Sequence, residues 1–263
     1  MALKRKETSY LKVAMEAARQ GGRILMASYG KLKTSQISMK AKNDFVTEID
    51  KRSEKAVIST IKKHFPDHWI QAEESGITAG KDTLWIIDPL DGTSNYIHQL
   101  PVFCVSIGVM RHDKPVVGVV YDPIHDEMFT AEKGKGTFLN NRRVQASKTD
   151  FLSRAFMATG IPFRARDRFD QYLASFEKIS LGSVGLRRGG SAALDLAYVA
   201  CDIAAGALLL EEAGGRITDM WGNPDYFKNG DTLASNGRIH TELLTITSRI
   251  FKRVNKDKLC HLN

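Results

Sequence analysis

The chain has 263 residues, 43% of them hydrophobic and 26% charged, and carries a formal net charge of +8 from 38 Lys and Arg against 30 Asp and Glu. A chain of this length buries one large core or two closely packed ones, and its balance excludes a disordered or fibrous protein. The excess of positive charge has two readings, an attraction for anionic substrates or nucleic acid, or a solvated lysine-rich surface, and the second is the more general.

Leu11, Ala14, Ala18, Ile24 and Leu25 recur at helical spacing and predict a helix over residues 8–28 that ends near Gly30. A second helix is expected from about Asp50 to His64. Thr47-x-x-Asp50 resembles a capping box, Val57, Ile61 and Phe65 share one face, and Pro66 closes the segment. Trp69 to Ala72 reads as a short strand leading to Glu73-Glu74. The apolar run Leu84-Trp85-Ile86-Ile87 then reads as a buried strand ending in Asp88-Pro89-Leu90-Asp91-Gly92-Thr93. Val102–Met110, Val116–Tyr121, Glu127–Ala131 and Thr137–Leu139 are short β-rich runs separated by turn residues, an antiparallel meander with Asn140-Asn141 as a further turn.

The second half alternates. A strand is expected near Ala155–Ala158, a helix around Arg168–Ile179, helical runs from Ser191 with a stop at Gly214-Gly215, strands at Arg216–Asp219 and Thr232–Ala234, and a closing helix over Ile239–Phe251. This mixture predicts a layered α/β or α+β sandwich, with halves at 1–148 and 149–263 packed as one compact unit. Cys104, Cys201 and Cys260 form neither a disulfide framework nor a zinc pattern, and Met1 to Tyr10 has no apolar signal segment, so a reducing cytoplasm is expected. The most apolar stretch, Leu194 to Leu210, is interrupted by Asp195 and Asp202 and is too short and acidic to span a membrane.

Asp88 and Asp91 at the end of a buried strand, with Glu73-Glu74 upstream, are acids whose mutual repulsion calls for a cation. Carboxylate and carbonyl oxygens suit Mg²⁺ or Mn²⁺, and phosphate chemistry is what such sites most often serve. Each element also has a plainer reading. Asp-Pro-x-Asp-Gly alone is a good turn, and Thr47 with Asp50 equally serves as a helix cap. His64, His68, His98 and His112 match no motif and read as surface or turn residues.

The strings Ala72-Glu73-Glu74-Ser75, Trp85-Ile86-Ile87-Asp88-Pro89-Leu90-Asp91-Gly92-Thr93-Ser94-Asn95, and Asp202-Ile203-Ala204-Ala205-Gly206 with Glu212-Ala213-Gly214-Gly215 resemble the inositol monophosphatase family. Phe45-Val46-Thr47-x-x-Asp50 and Gly190-Ser191-Ala192-Ala193 extend the likeness over nearly the whole chain. The resemblance implies a five-layer αβαβα sandwich of the inositol monophosphatase and fructose bisphosphatase type, assembled as a homodimer, with lithium-sensitive, Mg²⁺-dependent phosphatase activity. It implies a first Mg²⁺ on Glu73, Asp88 and the Leu90 carbonyl, a second on Asp88, Asp91 and Asp202, and a weaker third near Glu73. A metal-activated water would be the nucleophile, oriented by Thr93 and Asp50, and a covalent phospho-aspartate is the rival mechanism. Asp91, Gly92, Thr93, Ser191 and Ala192 would meet the substrate, several through main-chain N–H groups. The expected substrate is inositol monophosphate or a similar polyol phosphate. Fructose bisphosphate, nucleotide bisphosphate and histidinol phosphate are alternatives, and an added RNA or transcription-complex role on the same scaffold is a further one.

The pattern departs from the family at one place. Ala200 runs directly into Cys201-Asp202, where about a dozen residues of the family pattern, a glycine turn and a strand among them, are missing. With no break, Asp195 and Asp202 would share one face of a continuous helix. The reading preferred on sequence is that a loop of the natural chain is omitted; an intact mass of 29.3 kDa would show the deletion to be real.

Overall fold

The computed structural model describes residues 9–41, 44–162, 166–199, 205–224, 226 and 232–252. Helix α1 (Tyr10–Ser28) buries Ala14, Ala18 and Leu25 of the expected stripe together with Val13 and Ala17, while Leu11 and Ile24 pack half-buried against the same core. A small hairpin, β1 (Ile37–Ala41) with β2 (Asp44–Thr47), leads into α2 (Glu48–His64). The Thr47 side chain accepts from the N–H groups of Ile49 and Asp50, and Asp50 accepts from the Thr47 N–H, so the capping box forms as read.

One eight-stranded sheet dominates the first half. Its strands are β3 (His68–Ala72), β4 (Gly76–Thr78), β5 (Lys81–Asp91), β6 (Cys104–Arg111), β7 (Lys114–Asp122), β8 (Glu127–Glu132), β9 (Gly136–Leu139) and β10 (Arg142–Val144). They lie in the order β10-β9-β8-β7-β6-β5-β3-β4, antiparallel throughout except for the parallel pair β3–β5. That exception arises at Gly80. The chain leaves β4 and crosses the start of β3, where the Lys81 N–H donates to the Asp67 carbonyl at 2.6 Å. A Cβ on Gly80 would lie 2.2 Å from both the His68 carbonyl carbon and the Trp69 nitrogen, so only glycine passes.

The strands are apolar on both faces. Val105, Ile107, Val109, Val117, Val119 and Met128 pack with α1 and α2, while Cys104, Val120, Phe129 and Ala131 pack with the helices of the second half. These are α5 (Ala192–Val199) and α6 (Ala205–Glu212), which touch each other and lie over β6–β9. Beyond them come two short pairs, β11 (Phe156–Ala158) parallel to β12 (Gly185–Arg187), and β13 (Arg216–Thr218) antiparallel to β14 (Leu233–Ser235). Helices α4 (Phe169–Gly182) and α7 (His240–Ile250) form the outermost layer over Leu152, Ala155, Leu233 and Leu243. The order helix, sheet, helix, strand, helix is the expected five-layer sandwich.

From Ser191 the described residues form α5, which carries Asp195, and α6, and the expected course through Asp202 falls between them. The intervening residues 200–204, Asp202 among them, lie outside the described residues. No described helix is long and apolar enough to cross a membrane.

Candidate active site

The C-terminal edge of β3 and β5 gathers the predicted residues. Parallel pairing sets Ala72 against Ile87, and the Glu73 N–H donates to the Ile87 carbonyl at 3.1 Å, so Glu73 follows β3 where Asp88 continues β5. Glu73 is exposed and Asp88 and Asp91 are half-buried. The β5–β6 register slips between Asp88, opposite Ser106, and Asp91, opposite Cys104, a bulge that bends the strand and keeps both acids near one end. Asp88 Oδ1 accepts from the Leu90 N–H at 3.0 Å, fixing the turn. Gly92, with φ of 99°, then starts the short helix α3 (Thr93–Ile97).

Helix α2 supplies the other wall through residues spaced i, i+3 and i+4, which share a face. Asp50 is 1% exposed, and its carboxylate accepts from the Thr47 N–H at 2.9 Å, the Thr47 hydroxyl at 2.5 Å and the Thr93 hydroxyl at 3.1 Å. Burial pushes its pKa above the usual carboxylate range, against the lowering effect of those bonds. The Ser53 hydroxyl donates to the Pro89 carbonyl at 3.0 Å, and Glu54 Oε2 accepts from the Glu74 N–H at 2.8 Å. One turn and a half of helix thus ties down α3, the Asp88–Asp91 segment and the Glu73-Glu74 turn. Thr93 lies 3.1 Å from the Leu90 carbonyl as well as from Asp50, so its single proton serves one acceptor at a time.

The second half closes the site from the opposite side. Asp91 Oδ2 accepts from the Ser191 hydroxyl at 2.5 Å and from the Ala193 N–H at 2.7 Å, placing this carboxylate at the start of α5. Asn95 donates to the carbonyls of Val102 at 2.7 Å and Gly189 at 3.0 Å, holding the loop before α5. Asp195 braces that loop from below through the N–H groups of Gly189 and Gly190, and burial raises its pKa. Ala192 is exposed, whereas Ser191 is fully buried. Arg187 lies over the Phe156 ring at 4.9 Å, and Arg188 places its charge near Asp195.

Glu73, Asp88, Leu90, Asp91, Gly92, Thr93 and Asp50 therefore share one edge, with Ser191 and Ala192 brought to it by α5. Asp202 is the one predicted ligand outside the described residues. The donors are all oxygen, which fits Mg²⁺ chemistry. Among the described residues, no three acid, His or Cys side chains already stand as a ready metal cluster.

Sequence reasoning passed over Ser53, Glu54, Asn95 and Cys104. The i, i+3, i+4 pattern beginning at Asp50 carried a readable signal for Ser53 and Glu54. Asn95 and Cys104 gave none for their contacts with the second half, because Gly189 and Ser191 lie 94 and 87 positions away. His68, expected at the surface, is half-buried and accepts the Trp85 indole N–H at 2.9 Å while stacked on Phe65.

The model of the inositol monophosphatase family matches residues 6–252. The chain belongs to that family. Among curated inositol monophosphatase family relatives, "Nus factor SuhB" of Escherichia coli (strain K12) is 41% identical over 250 residues, covering 89% of this chain and 94% of that protein. The crystal structure of extragenic suppressor protein suhB from Bartonella henselae superposes with a TM-score of 0.89 at 36% identity, covering 93% of this chain and 100% of that one. Inositol monophosphatase from Anabaena (Nostoc) sp. PCC 7120 gives 0.81 at 41% identity, over 92% and 96% of the two chains.

Proposed function

We propose that the chain is a Mg²⁺-dependent phosphoric monoester hydrolase acting on a small polyol phosphate, with inositol monophosphate the first candidate. The observation that carries this reading is the buried Asp50 carboxylate taking the Thr93 hydroxyl at 3.1 Å, beside the strand end that presents Asp88, Leu90 and Asp91. Glu73, Asp88, the Leu90 carbonyl, Asp91 and Asp202 would hold two or three Mg²⁺ ions, or Mn²⁺ in their place. When bound, the metal supplies acidification of water and neutralisation of phosphate charge.

The protein's own residues divide the remaining work. Thr93 Oγ1 accepts a proton from the attacking water as its own passes to Asp50, a carboxylate made more basic by burial. Gly92 and Thr93 at the start of α3, with the exposed Ala192 at the start of α5, direct main-chain N–H groups toward phosphate oxygens. Asp91 faces the substrate from the joint between β5 and α5. Phosphate monoester hydrolysis without a catalyst is among the slowest of reactions, with accelerations up to about 10²¹-fold, while a general base contributes about 10²–10⁴-fold. The base relay alone therefore falls far short, which supports the metal requirement.

The test is phosphate release from inositol monophosphate, fructose bisphosphate, a nucleotide bisphosphate and histidinol phosphate, with and without a chelator. Mg²⁺-dependent release from at least one ester supports the reading. Release from none of the four at any Mg²⁺ concentration overturns it.

A second role is favoured by the name of the relatives, Nus factor, together with the net charge of +8: contact with RNA or a transcription complex on the same scaffold. Retention of RNA that falls steeply with salt would support it. A homodimer is favoured by Phe156 on β11, Leu181 at the end of α4 and Val184 just before β12, large apolar side chains more than half exposed. Light scattering on wild type and Val184→Glu tests the dimer, which the substitution should dissociate. A reducing cytoplasmic setting suits the buried thiol of Cys104.

A further inference from the structure

The Asp91 carboxylate is gripped by the second half of the chain through side chain and main chain together. Ser191, one hundred positions away, donates its hydroxyl to Oδ2 at 2.5 Å and accepts from the Leu194 N–H at 3.3 Å. The Ala193 N–H reaches the same oxygen at 2.7 Å. The Cys104 thiol stands 3.9 Å from Oδ2 and 3.6 Å from Ser191 Oγ, filling the space behind the pair. Ser191 and Cys104 are both 0% exposed, so neither side chain meets a substrate arriving from solvent.

We infer that the Ser191 side chain is a positioning residue, which locks the rotation of the Asp91 carboxylate and thereby sets the cation affinity of the β5 edge. The carboxylate torsion of an aspartate is broad when nothing holds it. Mg²⁺ demands near-ideal octahedral geometry, so a carboxylate free to turn is a poorer ligand. Groups that orient a metal ligand from behind typically change metal affinity or activity by about 10–100-fold. Ser191 has one proton, and at 2.5 Å that proton is spent on Asp91.

The inference rests on the metal-dependent reading, and direct cation binding separates the two. Ser191→Gly is the informative variant, because glycine is tolerated at a helix N-cap with little loss of helix stability but has no hydroxyl to give. Ser191→Thr restores a hydroxyl at the same place. Full-length wild type and both variants are titrated with Mn²⁺ alone, followed by electron paramagnetic resonance of the free ion. Thermal melts without divalent ions and steady-state kcat and KM accompany the titration.

Ser191→Gly is expected to weaken Mn²⁺ binding by about tenfold or more and to raise the Mg²⁺ concentration for half-maximal turnover in parallel. KM for the ester at saturating metal should barely move, and Ser191→Thr should recover most of the affinity. Unchanged Mn²⁺ affinity in Ser191→Gly overturns the inference, whether the change appears instead in KM, as for a substrate contact, or only in the melt, as for a plain cap. A wild type that binds no Mn²⁺ overturns it too. A wild type that binds Mn²⁺ but hydrolyses none of the four esters removes the phosphatase reading, and the titration still decides the role of Ser191.

Discussion

Asp50 closes two structures at once, the cap of α2 and the bond from Thr93, and a pair of substitutions separates them. Thr47→Ala removes the hydroxyl that donates to Asp50 at 2.5 Å and accepts from the Ile49 N–H at 3.1 Å. Loss of an N-cap costs about 1 kcal/mol, and loss of a hydrogen bond to a charged group about 1.5–3 kcal/mol. Both belong to one hydroxyl, so they overlap, and roughly 2 kcal/mol is expected. For a domain near this size that lowers the melting temperature by about 4–8 °C. Asp50→Asn keeps the shape, and its amide oxygen still accepts from Thr47 while the Thr93 hydroxyl turns to accept from the amide. Its stability loss is smaller, about 1 kcal/mol. An amide takes no proton at neutral pH, however, so turnover should fall by about 10²–10⁴-fold. The assay is phosphate release at saturating Mg²⁺ beside circular-dichroism melts of both variants. Thr47→Ala should melt earlier and keep most of its turnover, while Asp50→Asn does the reverse. If Asp50→Asn retains its rate, Asp50 is a helix cap and the proton relay through Thr93 is wrong.

Asp91→Asn should fold, since the amide oxygen still accepts from Ser191 and Ala193, yet lose at least about 10²-fold in turnover with the missing charge; an unchanged rate removes Asp91 from the mechanism. Glu54→Ala leaves the Glu74 N–H without its acceptor, which should cost about 1–2 kcal/mol in urea unfolding and raise the Mg²⁺ requirement by loosening the Glu73-Glu74 turn; an unaltered Mg²⁺ midpoint would show that the turn holds itself. His240 is 0% exposed between Thr218 and Ser235, and burial lowers its pKa from 6.5 to about 4. The unfolded chain binds this proton first, so stability is full above about pH 6.5 and is lost as pH falls toward 4, by about 2 kcal/mol between pH 7 and 4.5. His240→Phe should flatten that part of the curve, and equal acid loss in both proteins would refute the assignment.

Legibility followed the range of the interaction. The α2 start was readable because Thr47 and Asp50 are three positions apart and settle their bonds locally. The Leu84–Ile87 run announced a buried strand, and the acids after it announced the site. By contrast β1, β4, β10 and β12 are three to five residues long and carry no apolar run, so pairing alone defines them. The Ser191–Asp91 bond, spanning one hundred positions, has no local trace, and Ser191 was read only as a substrate contact. Cys104 was weighed as a disulfide candidate, whereas its actual setting is the back of a carboxylate. The junction at Asp202, where a loop of the family pattern was expected to be omitted, lies outside the described residues.

Where β4 hands over to β5, a bare stretch of main chain decides the catalytic edge from a strand's length away. Had the chain come back as a simple hairpin, Glu73 and Asp88 would sit at opposite ends of their strands, roughly 15 Å apart for five residues of β3. The pass beneath His68 and Trp69 reverses that outcome, and it admits no side chain at Gly80. A survey of tolerated substitutions would accordingly mark Gly80 as intolerant, although it meets neither ester nor cation. Its contribution is to direction of travel: it makes two strands run the same way, and two acids arrive together.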